Sequence, residues 1–115
     1  MENNQKKNIE EKTMDYQRIN EQLESLSSQK DRFSMQKAEY KNAETEITNA
    51  KGKIYSAVGS VIVEVSKEDA SKTIKEKIEM VDLRLSVITK QIAELSEKEK
   101  KARAELENML KPAPS

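Results

Sequence analysis

Two runs of heptad-spaced apolar residues, separated by one short stretch that holds both of the chain's glycines, constrain this sequence more than any other feature. With Ile9 taken as position a, Tyr16 and Leu23 also fall at a, and the d row reads Lys12, Ile19, Leu26, Phe33, Tyr40 and Ile47. Further on, the a row turns polar, with Lys30, Lys37 and Glu44, while the d row stays apolar. The second run has Ile74, Val81, Ile88, Leu95, Ala102 and Met109 at d, and Ile78, Leu85, Ile92, Glu99 and Leu106 at a. A helix with one narrow apolar stripe gains little stability alone and needs a partner along that stripe. No proline or glycine interrupts either run. The spacing predicts a first helix over about 8–51, a central β-hairpin over 52–66 and a second helix over 67–111. A disordered tail over 112–115 follows, because Pro112 and Pro114 end the helix.

The central stretch, Gly52 to Ser66, is the only part that does not read as helix. Ile54-Tyr55 and Val61-Ile62-Val63-Glu64-Val65 carry β-branched and aromatic side chains, and Ala57-Val58-Gly59-Ser60 between them supplies a turn. Val61, Val63 and Val65 share one face of the second strand. Gly52 is expected to cap the first helix in a left-handed conformation, with Lys51 at the negative end of its dipole. Ser66 is expected to cap the second, with Glu68 and Asp69 in its first turn. A lone hairpin is marginal in water and leaves two edges open to other chains. The alternative is a strand pair folded back on its own helices, which offer little surface to cover it.

A hairpin reverses the chain, so the helices are expected to pair antiparallel. One register sets Ile47 opposite Ile74, Tyr40 opposite Val81, Phe33 opposite Ile88, Leu26 opposite Leu95 and Ile19 opposite Ala102, apolar on apolar throughout. The a layers are then mixed: Lys37 with Leu85, Lys30 with Ile92, Leu23 with Glu99, Tyr16 with Leu106. Lysine stems can lie over an apolar partner while the ammonium reaches water. Pairing between chains instead of within one is the competing arrangement.

Composition narrows the function. The 115 residues are 37% charged and only 3% aromatic, too few large apolar groups for a thick core. The 21 basic and 21 acidic residues balance, which argues against nucleic acid as the partner. Cysteine and histidine are both missing, and with them soft-metal sites and the usual general base. The carboxylates are interleaved with lysines at helix-surface spacing rather than paired for acid–base work. Neither glycine matches a phosphate-binding loop. No enzyme activity, metal or cofactor is expected. No signal peptide or membrane span is legible either, so a cytoplasmic protein is expected.

Two apolar groups lie outside the expected seam. Met80, Leu83 and Val87 sit off the a and d rows. At the far end of the hairpin of helices, Ile9, Met14, Tyr16, Ile19, Leu106, Met109 and Leu110 come together. Fraying there would expose a flexible apolar patch whose methionines adapt to varied partners. Simple closure of the coiled-coil end explains the same residues.

These features resemble one family. Ile54-Tyr55-Ser56-Ala57-Val58-Gly59-Ser60-Val61-Ile62-Val63 is similar to the hairpin motif of prefoldin subunits. Lys67-Glu68-Asp69-Ala70 and Ile74-Lys75-Glu76-Lys77-Ile78-Glu79 resemble the start of that family's second helix. Gln22, Leu23, Leu26, Gln29-Lys30 and Gln36 resemble its first. A single hairpin resembles the β class, close to archaeal β and eukaryotic sixth-type subunits. Ser56, Ser60 and Phe33-Ser34-Met35 depart from the usual pattern. The resemblance implies a mainly α chain, an antiparallel two-helix coiled coil whose hairpin joins an intersubunit β-barrel. It implies a hetero-hexamer with α-class and further β-class subunits, and ATP-independent capture of non-native protein clients for delivery to a cytosolic chaperonin. It points to Ile54, Tyr55, Val58, Gly59, Val61, Ile62, Val63 and Val65 for oligomerisation. Ile9, Met14, Tyr16, Ile19, Leu106, Met109 and Leu110 would bind clients. A coiled-coil adaptor with one defined partner is the rival reading.

Overall fold

The computed structural model describes residues 2–111, so the tail expected to be disordered lies outside the described residues. The order is α1 (Glu2–Asn49), β1 (Ile54–Val58), β2 (Val61–Val65) and α2 (Lys67–Leu110). Two long helices flank a central antiparallel hairpin, as the periodicity predicts. α1 starts earlier than the expected position near residue 8, since nothing before Ile9 breaks a helix. Compactness divides the chain into Lys30–Val87 and a second unit made of Met1–Gln29 with Ile88–Ser115.

In the unit Lys30–Val87, α2 presents Ile74, Ile78 and Val81 as buried side chains, with Val81 only 2% exposed. α1 contributes half-buried Phe33, Lys37, Tyr40, Glu44 and Ile47, the expected a and d rows. Lys37 does reach outward, but to a carboxylate: its Nζ lies 2.7 Å from Asp82 Oδ1. Lys77 sits over the Tyr40 ring at 5.8 Å and Arg84 over the Phe33 ring at 5.6 Å. Such stacked cations cover the aromatic faces that a thin seam leaves open.

These contacts correct the register. Lys37, Tyr40 and Phe33 each meet a partner three or four residues nearer the start of α2 than expected. The cause is the hairpin. Its ladder pairs Val58 with Val61 and Ile54 with Val65, and turn length sets the level at which both strands leave it. The helices inherit that level. Lys37 therefore reaches Asp82, Tyr40 takes Lys77 over its ring and Phe33 takes Arg84, each short of the partner expected for it.

The ends of the helices at the hairpin differ from expectation on one side. Gly59 has the only positive φ among the described glycines, so Gly52 is not a left-handed cap. α1 closes instead with the Ala50 N–H donating to the Ile47 carbonyl at 3.2 Å. The Lys67 ammonium, from the start of α2, donates to the Ala50 carbonyl at 3.3 Å and supplies the cation assigned to Lys51. Ser66 caps α2 as expected: its Oγ accepts from the Asp69 N–H at 3.1 Å.

In the other unit, Ile88 and Leu106 are buried, and Tyr16, Ile19, Leu23, Leu26, Ile92 and Leu95 are half-buried. Lys12 does not occupy the d row. Thr13 takes the half-buried place, its hydroxyl donating to the Ile9 carbonyl at 2.7 Å, and Lys12 turns out to Glu105 at 2.9 Å. A threonine whose hydroxyl is satisfied by its own helix loses less on burial than an ammonium.

Candidate interaction surfaces

The hairpin is shorter in its loop than its sequence suggests. Ala57 and Val58, read as turn residues, are in β1, and only Gly59-Ser60 connect the strands. Gly59 has φ 62 at the first central position and Ser60 has no positive φ, which is the type II′ arrangement. A side chain at Gly59 would meet no atom but would be forced into a left-handed backbone.

Pairing places Ile54, Ser56, Val58, Val61, Val63 and Val65 on one face and Tyr55, Ala57, Ile62 and Glu64 on the other. The first face is covered only at its base. Ile54, Ser56 and Val65 are half-buried beside the helix ends, where with Ala43, Ile47 and Ala70 they line a groove of about 440 Å³. Val58, Val61 and Val63 stand exposed beyond it, and on the second face Tyr55 and Ile62 are exposed, Ile62 at 72%. The sheet has two strands, so both outer edges lack a ladder partner among the described residues. The fold-back alternative therefore holds only for the base of the hairpin. Apolar groups left bare on both faces of one small sheet are the kind of surface that a partner covers.

The seven residues expected at the free helix ends are not equivalent. Met14 and Leu110 are exposed. Ile9, Tyr16, Ile19 and Met109 are half-buried, and Leu106 is buried. Among the described residues, two polar contacts cross between the helices in this unit. Lys12 Nζ meets Glu105 Oε2 at 2.9 Å, and the Tyr16 hydroxyl donates to Glu99 Oε1 at 3.1 Å. Tyr16 thus reaches Glu99 rather than the expected Leu106. The Glu105 carboxylate holds the Lys12 ammonium above its ordinary pKa of 10.5, chiefly through their hydrogen bond. The sequence reading sets Glu99 opposite Leu23 and assigns neither Glu99 nor Glu105 a polar contact across the pair. A carboxylate at an a position was the available signal for Glu99, but its partner depends on the register. Met80, Leu83 and Val87 are all exposed, in keeping with their place off the seam. No described helix is long and apolar enough to cross a membrane.

Comparison with known proteins follows the same lines. The profile of the family described as "Prefoldin subunit" matches residues 10–113. Among solved structures, the prefoldin beta subunit from Thermococcus strain KS-1 is similar with a TM-score of 0.85 and 29% identity, covering 91% of this chain and 94% of that one. The prefoldin beta2 subunit from the same strain shares the fold with a TM-score of 0.70 at 20% identity, covering 77% of this chain and 97% of that one. No curated protein sequence matches significantly.

Proposed function

The chain belongs to the prefoldin subunit family, a family of chaperone subunits, and on that footing we propose that it is a β-class subunit that captures non-native polypeptides without ATP. In this reading the hairpin is the assembly element. It joins α-class and further β-class subunits in a hetero-hexamer through a shared β-barrel, and the helix ends hold clients until delivery to a chaperonin in the cytosol.

The observation that carries the reading is the bare hairpin. Val58, Val61, Ile62 and Val63 are all at least 40% exposed, on both faces of a sheet with two open edges. β-Branched side chains in a two-stranded sheet are held rigid, so covering them costs little entropy and suits a permanent partner. At the other end, exposed Met14 and Leu110 beside half-buried Met109 suit transient contact with varied sequences.

The test is removal of both helix ends, residues 1–16 and 102–115, from a chain mixed with an α-class prefoldin subunit. The shortened chain is expected to enter a hexamer by native mass measurement and to lose suppression of client aggregation. Full protection by the shortened chain would refute client capture at the ends. A mass well short of a hexamer for the intact mixture would refute the assembly role.

A further inference from the structure

We propose that the contact between Tyr16 and Glu99 is a latch: it sets where the paired helix ends part, and Leu106 becomes available to a bound polypeptide only when it opens. The proposal rests on the reading of these ends as a polypeptide-binding region and concerns how that region is regulated.

Glu99 is out of place in an apolar seam. It occupies an a position, its side chain is 16% exposed, and it meets Tyr16 across the pair. A carboxylate this far from water must be compensated. Its partners are few: the Tyr16 hydroxyl at 3.1 Å across the pair, and Arg103 Nη1 at 3.8 Å one turn along α2. One neutral hydroxyl therefore carries the cross-helix part of this layer.

The two sides of the layer differ in what holds them. Inward, α2 offers Leu95, Ile92 and Ile88, large side chains at consecutive seam positions. Outward it offers Ala102, then Leu106 and Met109. Ala102 buries little, so beyond Glu99 the pairing rests mainly on Leu106. The remaining clasp, Lys12 with Glu105, has both side chains about half exposed, and such pairs contribute little. Local opening is cheapest where few apolar contacts are lost, and it stops where a well-packed layer begins. Those two conditions meet at Glu99.

The closed state hides what an extended apolar polypeptide would use. Leu106 is 9% exposed, whereas Met14 and Leu110 already face solvent. Opening as far as the Tyr16–Glu99 layer adds Leu106 and the covered parts of Ile9 and Met109 to that surface. Apparent affinity then scales with the open fraction, which the latch sets.

The test uses the full-length chain and two opposed variants. Tyr16→Phe keeps the ring and removes the hydroxyl. Glu99→Leu replaces the carboxylate with an apolar group suited to an a position. Backbone hydrogen exchange of residues 100–110 is expected to speed up about fivefold in Tyr16→Phe, the span of one net hydrogen bond, and to slow at least as much in Glu99→Leu. Exchange over residues 88–98 is expected to stay unchanged in both. Suppression of aggregation of urea-denatured, reduced lysozyme should rise in the first variant and fall in the second. Glu99 is not among the expected client contacts, so its variant separates latch from direct binding. Unchanged exchange over 100–110 overturns the latch, as does exchange that changes equally over 88–98. Exchange that shifts without any change in aggregation suppression overturns the link to Leu106. If removing both ends abolishes suppression while neither variant affects it, the latch falls and the reading of the ends stands.

Discussion

Replacing Ile62 with aspartate tests the proposed assembly role of the hairpin, because that side chain does little for its own chain and is bare for a partner to cover. Ile62 is 72% exposed and lies across from Ala57. Full burial of such a side chain stabilises by about 1.5–3 kcal/mol, so the part already covered accounts for roughly 0.4–0.8 kcal/mol. The isolated chain should therefore keep its melting temperature to within a few degrees. If assembly covers the rest, the substitution loses about 1–2 kcal/mol of apolar burial and adds the cost of a charge at an interface core, which brings the total to about 3 kcal/mol or more. That corresponds to at least a hundredfold weaker association, at 1.4 kcal/mol per tenfold. The assay is sedimentation or native mass measurement of the chain mixed with an α-class subunit across a concentration series. Met35→Asp is the control, since Met35 is 66% exposed on α1 and away from the hairpin. Association of Ile62→Asp within about threefold of the parent, or an equal loss in Met35→Asp, would refute the argument that the bare hairpin is the interface.

Three further outcomes are expected. Val81→Ala should cost about 2 kcal/mol in urea unfolding while Met80→Ala costs under about 0.5, since the first is 2% and the second 60% exposed; equal costs would disprove the seam. Ser66→Ala should cost about 1 kcal/mol by the same measurement, through loss of the bond to the Asp69 N–H. Pairing of the helix ends, followed by the distance between spin labels at Glu11 and Glu107, should be constant from about pH 6 to 9. Lys12 has a pKa raised by folding, so its contribution is present below the ordinary 10.5 and is lost as pH rises through the raised value. Separation of the labels at neutral pH would contradict this.

Much of the fold was legible because α2 repeats large apolar residues at strict heptad spacing. Ile74, Ile78, Val81, Ile88 and Leu106, all named on the a and d rows, are the buried apolar residues of the described chain. The register was not legible from those rows, since apolar-on-apolar matching has more than one solution a half-heptad apart. The arbiter was the turn. Reading Ala57-Val58 as loop hid the two-residue connection that fixes the level of both helices. Gly52 misled for a related reason. A glycine after a helix is a local signal, but α1 closes with the Ala50 N–H on the Ile47 carbonyl, and the cation at its end comes from Lys67, 17 residues beyond Ala50. The contact of Tyr16 with Glu99 spans 83 residues of sequence and follows only once the register is known.

The chemistry of the two exposed surfaces differs in a way that fits two kinds of partner. The hairpin is bare through Val58, Val61, Ile62 and Val63, side chains stiff at their first torsion and fixed on a paired backbone. Such a surface offers one shape, and covering it loses little freedom, so it rewards a partner of matching shape. The helix ends are bare through Met14 and Leu110, with Met109 half-covered: unbranched at Cβ and, in the methionines, free about three torsions. A surface like that offers many shapes at a higher entropy cost for each, which disfavours tight association with one sequence and tolerates many. Exchanging the two chemistries should exchange the behaviours. On the proposed roles, methionine at Val61 and Val63 would weaken assembly with little change in apolar area, and valine at Met14 and Met109 would narrow the range of denatured proteins held. A full-strength hexamer in the first case, or an unchanged client range in the second, would show that apolar area alone decides and that side-chain stiffness does not.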